Sequence, residues 1–190
     1  MLDIDGVLSL FGFGERAVGD SLSDGEDVPG PATVPAPGAG AGFLGARQPA
    51  GVEGSFHSID GIPHFLSATA AAHLLALTGR YEPVWASGWE EKANEHLPYL
   101  LDLPAGLPFV RFSALSRHGR STHAHWKLEA IDSYAGARPL AWVDDAFNEA
   151  CHAWARARQA PTLLVPTAPQ RGLTAREADL LAAWADELPR

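Results

Sequence analysis

Apolar residues recur along the chain with two different periods, and the change from one period to the other marks the predicted elements. Short apolar runs between turn residues are typical of buried strands, and apolar positions three or four residues apart are typical of helices. The pattern predicts strands over 82–87, 108–112, 139–143 and 162–165, and helices over 67–79, 89–101, 124–136, 146–159 and from Thr174 onward. Strands and helices that alternate in this way indicate a parallel sheet with helices on both of its faces.

A β-hairpin is predicted ahead of this alternating region. Two short apolar runs, 56–59 and 62–65, flank the dipeptide Asp60-Gly61. Asp-Gly between such runs is a strong hairpin signal, because both turn positions need a left-handed backbone. Pro63 has no N–H to donate to a neighbouring strand, so we expect the second strand of the hairpin to lie at a sheet edge.

Residues 19–55 interrupt the pattern. Within them, residues 28–42 are almost entirely Gly, Pro and Ala. Such a stretch has too little apolar surface to offset the entropy that it would lose on ordering. We therefore predict a flexible insertion inside a single domain that spans residues 1–190.

Composition narrows the class of protein. The chain has 190 residues, of which 46% are hydrophobic and 19% charged, which is typical of a globular protein with a real core. Cys151 is the only cysteine, no leader peptide fits before Asp3, and no apolar run could cross a bilayer, so we expect a cytoplasmic protein. The net charge of −9 argues against general, sequence-independent binding of nucleic acid.

Two carboxylates, Asp3 and Asp5, stand near the start of the chain and are followed by Gly6. If a strand runs through both, they point the same way; if it ends at Asp3, both lie at its carboxyl end, where open α/β sheets place their chemistry. Carboxylates so close together repel each other, so they need a cation between them or one of them must hold a proton. The alternative is a turn with solvated acids, and this segment alone does not decide between the two.

Three further features fall at predicted strand ends or helix starts. Ser87 ends one predicted strand, where a hydroxyl and backbone N–H groups suit a phosphate oxygen, although Ser-Gly at such a place is more often only a helix cap. Lys127 lies in the helix after a basic loop, where an isolated lysine is usually solvated. Asp144 and Asp145 follow an apolar strand and repeat the arrangement of the first two acids, with a helix N-cap as the alternative.

Taken together, these residues resemble the four motifs of the haloacid dehalogenase (HAD) superfamily of phosphohydrolases. The matching positions are Asp3-Ile4-Asp5-Gly6-Val7, Ser87, Lys127 and Asp144-Asp145. Residues 84–90 and 141–145 resemble more narrowly the HAD-like domain of bacterial multifunctional (Swiss Army Knife) RNA-repair proteins, and the likeness covers residues 2–10 and about 62–187. The resemblance implies a Rossmann-like three-layer α/β/α sandwich with a mostly parallel central sheet, the hairpin as a small flap and no large cap domain.

The same resemblance implies a phosphatase that hydrolyses a phosphomonoester. Asp3 would attack phosphorus to form an aspartyl-phosphate, which replaces one difficult step by two easier ones. Asp5 would protonate the leaving oxygen and then accept a proton from the hydrolytic water. Ser87 would hold a phosphoryl oxygen, and Lys127 would balance charge in the transition state.

The resemblance also implies a cofactor, Mg²⁺. Its ligands would be the carboxylate of Asp3, the main-chain carbonyl of Asp5 and the carboxylate of Asp144, with Asp145 bound directly or through water. Only Met1 and Leu2 precede Asp3, fewer residues than the family's first strand has. Either this strand is short and poorly paired or the native protein begins upstream, and we favour the second explanation.

The substrate is less well defined. A Gly/Pro/Ala insertion makes a poor lid, so we expect an open site that suits a phosphate on something large, such as a nucleic-acid end or a protein. Small esters, nucleotides among them, stay open as alternatives. The basic segment 111–127 could steer a polyanion and Trp126 could stack on a base, although a solvated loop with a half-buried Trp126 is the simpler interpretation. The histidines of that segment have no cysteine partner and lack the spacing of helical zinc pairs, so Mg²⁺ is favoured over zinc.

Core packing is the expected role of the other tryptophans, Trp85, Trp89, Trp142, Trp154 and Trp184. Two rival functions stay open at this point. One is a catalytically weak module that binds phosphate or a nucleotide, and the other is a module that binds partner proteins on the same fold. Neither the identity of the substrate nor the oligomeric state follows from the residues.

Overall fold

Two small sheets and five helices make up the part of the chain that the computed structural model describes, residues 1–13, 49, 51–112 and 123–189. The antiparallel sheet contains β1 (Ser9–Leu10), β2 (Gly54–Ile59) and β3 (Ile62–Ser67), and the parallel pair contains β4 (Leu140–Asp144) and β5 (Thr162–Pro166). The helices are α1 (Ala68–Leu77), α2 (Lys92–Leu101), α3 (Leu128–Ala135), α4 (Glu149–Ala157) and α5 (Ala175–Glu187), and a 3-10 helix over Ala124–Lys127 leads into α3. Most of the predicted flexible insertion, residues 19–48 and residue 50, lies outside the described residues. None of the described helices is both long and apolar enough to cross a bilayer.

The parallel pair continues sideways through single bridged residues. Leu2 forms parallel bridges with Val143 of β4 on one side and with Trp85 on the other, and Trp85 in turn bridges Phe109. The Leu2 N–H donates to the Val84 carbonyl at 2.8 Å, and the Leu2 carbonyl accepts from the Ala86 N–H at 2.7 Å. β4 and β5 match their predicted strands to within a residue at either end.

The strands predicted over 82–87 and 108–112 are wrong in extent, because each is reduced to one bridged position. Among the described residues, Leu2 is the one bridged residue of the segment between β4 and Trp85, so Trp85 has no second bridged partner on that side, and Phe109 in turn pairs with Trp85 alone.

The predicted hairpin is present, as β2 and β3 joined by Asp60 and Gly61. Both turn residues have positive φ, 52° and 78°, as a two-residue hairpin turn of this type requires. The predicted edge position of the second strand is wrong, because β3 lies between β1 and β2. Pro63 is nevertheless tolerated, since β1 has only two residues and pairs with Phe65 and Leu66 alone.

The helices appear where the sequence pattern places them, with three differences at their starts, one of which is that α4 begins at Glu149 and not at residue 146 because Asn148 is its N-cap. α2 begins at Lys92 and not at residue 89, because Glu90 has a left-handed backbone with φ 47° that no helix can continue through. The helix predicted over 124–136 begins as the 3-10 segment Ala124–Lys127. The last helix carries a capping box, in which Glu177 accepts from the backbone N–H of Thr174 at 3.1 Å.

The core consists of two apolar clusters that share the bridged strands. Trp85 and Val143 belong to one cluster, and their immediate neighbours Val84 and Trp142 belong to the other. Successive side chains of a strand point to opposite faces, so this alternation means that the strands are covered on both sides. Trp85 and Trp142 are fully buried, as predicted.

Gly172 provides a test of this packing. Its φ is +65°, and a Cβ at this position would lie 2.2 Å from the carbonyl oxygen of Val7. We expect Gly172→Ala to lower the free energy of unfolding by about 1–3 kcal/mol, from the left-handed backbone together with the clash. Urea denaturation measures the difference. Gly79→Ala is the matched control, because a Cβ there meets nothing within 4 Å, and equal stability of the two variants would contradict the close approach.

Candidate functional site

Three carboxylates converge at the carboxyl ends of the bridged strands. Asp3 follows the bridged Leu2, and Asp144 ends β4 with Asp145 directly after it. One oxygen from each of the three side chains lies within 4.8 Å of the other two. Asp3 and Asp144 are buried, and Asp145 is half-buried. The structure therefore brings Asp3 together with Asp144 and Asp145, the acids that were predicted to share a cation.

Lys127 inserts its ammonium group between two of these acids. Its Nζ lies 2.7 Å from Oδ2 of Asp3 and 2.7 Å from Oδ2 of Asp144, and its side chain is 4% exposed. The usual interpretation of an isolated lysine as a solvated charge is therefore wrong here. Burial lowers the pKa of Lys127, but the two carboxylates raise it by more, so the group stays protonated.

Negative charge nevertheless predominates in the cluster. Burial, reinforced by neighbouring carboxylates, raises the pKa of Asp144 to about 6 and that of Asp145 also to about 6. The same two causes raise the pKa of Asp5 to about 6, with Asp3 as its strongest carboxylate neighbour. One lysine does not compensate this much buried negative charge, so the site favours an additional positive charge.

Asp5 occupies a separate position beside the cluster. Its Oδ2 accepts a hydrogen bond from the indole Nε1–H of Trp89 at 3.0 Å. Ser87 is buried two residues before Trp89, and its Oγ lies 3.5 Å from the Trp89 backbone nitrogen. The predicted core role of Trp89 is thus incomplete, because its polar edge faces the site. The available signal was its position just after Ser87, at the end of a predicted strand.

Gly6 provides the room that the cluster needs. Its φ is +71°, and a Cβ there would lie 2.4 Å from Cγ of Asp145. A glycine is thus required both for the turn after Asp5 and for the close approach of Asp145. The N-cap explanation of the second acidic pair is wrong, since Asn148 caps α4 while Asp144 Oδ1 accepts from the Ala146 N–H at 3.0 Å.

Asp3, Asp5 and Asp144 open onto a cavity of about 510 Å³. Its walls also include Ser87, Lys127 from the 3-10 helix, and four residues of the hairpin, Ile59, Asp60, Ile62 and His64. An ion pair between Asp60 at the hairpin turn and Lys92 at the start of α2 connects the hairpin to that helix, and Lys92 also lines the cavity. The hairpin therefore forms part of the wall of the cavity, and its role as a flap stays a prediction.

Trp126 also lines the cavity. It is half-buried, and its ring contacts Phe112 edge-to-face at 4.6 Å between centroids. This is the simpler of the two predicted roles, and stacking on a base stays a prediction. The most basic part of the predicted steering segment, residues 113–122, lies outside the described residues.

No protein-family model, curated protein or solved structure matches the chain. The chemistry of the site is therefore argued from its own residues. Carboxylate oxygens are the ligands that hard divalent cations prefer, and the buried ammonium and hydroxyl groups beside them suit an anionic substrate.

Proposed function

We propose that the protein is a Mg²⁺-dependent phosphatase that hydrolyses a phosphomonoester through an aspartyl-phosphate on Asp3. The observation that carries this proposal is the meeting of Asp3, Asp144 and Asp145 within 4.8 Å, with Lys127 between two of them and with Asp3, Asp144 and Lys127 at the wall of the cavity. A nucleophilic carboxylate, a cluster of hard ligands and a fixed ammonium group are what phosphoryl transfer requires.

The residues present fit a divalent cation. Asp3, Asp144 and Asp145 provide hard oxygen donors, and burial, reinforced by the neighbouring carboxylates, raises the pKa of Asp144 and Asp145 to about 6. The Asp5 main-chain carbonyl is a further ligand in this proposal. When bound, Mg²⁺ would offset the repulsion between Asp3 and a phosphate dianion and would polarise the phosphoryl group.

Four side chains of the protein have separate roles in the proposed reaction. Asp3 attacks phosphorus with one carboxylate oxygen, so its P–O bond forms as the bond between phosphorus and the ester oxygen breaks. Asp5, which lines the same cavity, gives its proton to the departing oxygen and later accepts one from the water that hydrolyses the intermediate. Ser87 donates to a phosphoryl oxygen, and Lys127 stabilises the charge that develops around phosphorus.

The finer description of the fold is also a proposal. The bridges from β4 through Leu2 and Trp85 to Phe109 support a HAD-like, Rossmann-like three-layer α/β/α sandwich with a mostly parallel central sheet. Apolar clusters on both sides of these strands support helical layers on each face. The hairpin in the wall of the cavity supports a small flap without a large cap domain.

Metal dependence tests the proposed function directly. The purified protein should release phosphate from p-nitrophenyl phosphate in Mg²⁺, and EDTA should lower the rate by roughly 10²-fold or more, because the charge of the acids is then uncompensated. Restoring Mg²⁺ in excess should restore the rate. Binding of inorganic phosphate without any turnover would favour the rival, a module that only binds phosphate or a nucleotide.

A substrate panel then addresses the class of phosphomonoester. Oligonucleotides phosphorylated at the 3′ or 5′ end, mononucleotides and sugar phosphates are compared at equal concentration in Mg²⁺. A cavity whose mouth is bounded by a small hairpin favours a bulky substrate, so we expect the oligonucleotides to have the highest kcat/KM. Preference for sugar phosphates would contradict this part of the proposal.

A further inference from the structure

The indole of Trp89 holds one oxygen of the Asp5 carboxylate. Its Nε1–H donates to Oδ2 at 3.0 Å, and within the described part of the chain no other side chain hydrogen-bonds that carboxylate. Trp89 lies in the turn between Ser87 and α2, where the left-handed Glu90 directs the chain into the helix. The position of the ring is therefore set by the backbone on both sides.

A second contact fixes the ring from the side of the hairpin. The imidazole of His64 packs edge-to-face on Trp89, with 4.9 Å between ring centroids and 72° between planes. His64 is held in turn, because its Nδ1 and the Oγ of the buried Ser9 form a hydrogen bond of 2.9 Å. The neighbouring strands β1 and β3 thus support the indole that touches Asp5.

We propose that Trp89 is a positioning residue, which orients the Asp5 carboxylate for proton transfer to the leaving oxygen of the phosphomonoester. The inference rests on the proposed function and adds a residue to it. With Oδ2 held by the indole, Oδ1 is the oxygen that can carry the proton towards the substrate. As the ester P–O bond breaks and the bond from phosphorus to Asp3 forms, this proton passes from Oδ1 to the departing oxygen.

The leaving group distinguishes this role from simple packing. Phenolate departs poorly without a proton, whereas p-nitrophenolate departs without one, so only the first depends strongly on a correctly oriented acid. The parameter to compare is kcat/KM, because it reports the steps up to departure of the leaving group and excludes hydrolysis of the intermediate. Trp89→Phe keeps a ring against His64 but removes the N–H donor.

We expect Trp89→Phe to lower kcat/KM for phenyl phosphate by about 10²-fold and that for p-nitrophenyl phosphate by less than about threefold. Trp154→Phe is the matched control, since its Nε1–H donates to Oδ1 of Asp132 at 3.2 Å, away from the cavity, and it should change neither value. In an Asp5→Asn background, which has no proton to give, Trp89→Phe should cause no further loss on phenyl phosphate.

The possible results separate the inference from the proposed function. A wild-type protein that hydrolyses neither ester overturns both. A wild-type protein that hydrolyses both, with a folded Trp89→Phe that loses them equally or not at all, overturns the positioning role alone. If Trp89→Phe fails to fold, His64→Phe replaces it, because a phenyl ring cannot form the hydrogen bond with Ser9 that holds the His64 ring against the indole. The same selective loss of activity on phenyl phosphate would support the inference. A folded His64→Phe protein that shows no such selectivity would overturn it.

Discussion

Replacing Asp3 by Asn should reduce phosphate release by roughly 10³-fold or more and leave the protein folded. The amide is a poor nucleophile towards phosphorus, so no covalent intermediate forms. The fold should persist because Lys127 keeps its second partner, Asp144, and because Asp144 loses a repelling carboxylate neighbour. Phosphate release from p-nitrophenyl phosphate in Mg²⁺ measures the loss of activity, and thermal unfolding in Mg²⁺ shows whether the protein is still folded.

An exposed aspartate provides the control for Asp3→Asn. Asp179 lies on the solvent side of α5, so Asp179→Asn makes the same chemical change far from the cavity and should leave the rate unchanged. If Asp3→Asn kept a substantial fraction of the wild-type rate, the aspartyl-phosphate mechanism would be wrong. A folded, inactive Asp3→Asn protein beside an active Asp179→Asn protein is the expected pair of results.

Lys127→Met should have the largest effect on stability. It removes the ammonium group that lies 2.7 Å from both Asp3 and Asp144 and leaves two buried carboxylates without their cation. Breaking a buried ion pair from one side costs about 3–5 kcal/mol, so the free energy of unfolding in EDTA should fall by about that amount. Turnover in Mg²⁺ should fall by about 10²–10³-fold, because charge on the transferring phosphoryl group loses a fixed partner.

Urea denaturation with and without Mg²⁺ reveals whether the loss is electrostatic. A divalent cation binds the same carboxylates, so Mg²⁺ should restore part of the stability of Lys127→Met. Lys92→Met is the control for stability, because both side chains of the Lys92–Asp60 pair are more than half exposed and such pairs stabilise little. Equal stability of Lys127→Met and the wild type would show that the buried pairs do not matter to the fold.

The meeting of the acids could be predicted because it follows from the direction of strands. Asp144 comes straight after a run of buried apolar residues, and Asp3 comes straight after the bridged and buried Leu2. Carboxyl ends of parallel strands lie at one edge, so residues 141 positions apart in the sequence become neighbours without any knowledge of the helices between them. The hairpin was equally predictable from Asp60 and Gly61, because few residues tolerate positive φ at both turn positions.

Other features depended on tertiary contacts that no local pattern contains. Glu90 has a left-handed backbone although it is not glycine, and its Oε1 accepts from the Phe112 N–H at 2.7 Å. This long-range bond accompanies the delayed start of α2, which places Trp89 in a turn where its N–H faces Asp5 and not the core. The order of the antiparallel sheet was missed for a similar reason, since β1 is too short to give a period of its own.

Dissolved salt acts unequally on the two kinds of ion pair around the cavity. Both side chains of the Asp60–Lys92 ion pair are more than half exposed to solvent. Dissolved ions at physiological concentration screen the interaction between exposed charges over a distance of roughly 8 Å. Lys127 is enclosed with its carboxylates and is largely protected from this screening. Raising the ionic strength should therefore loosen the hairpin tip from α2 before it disturbs the acids, so that rates at low and high ionic strength separate access to the cavity from events inside it.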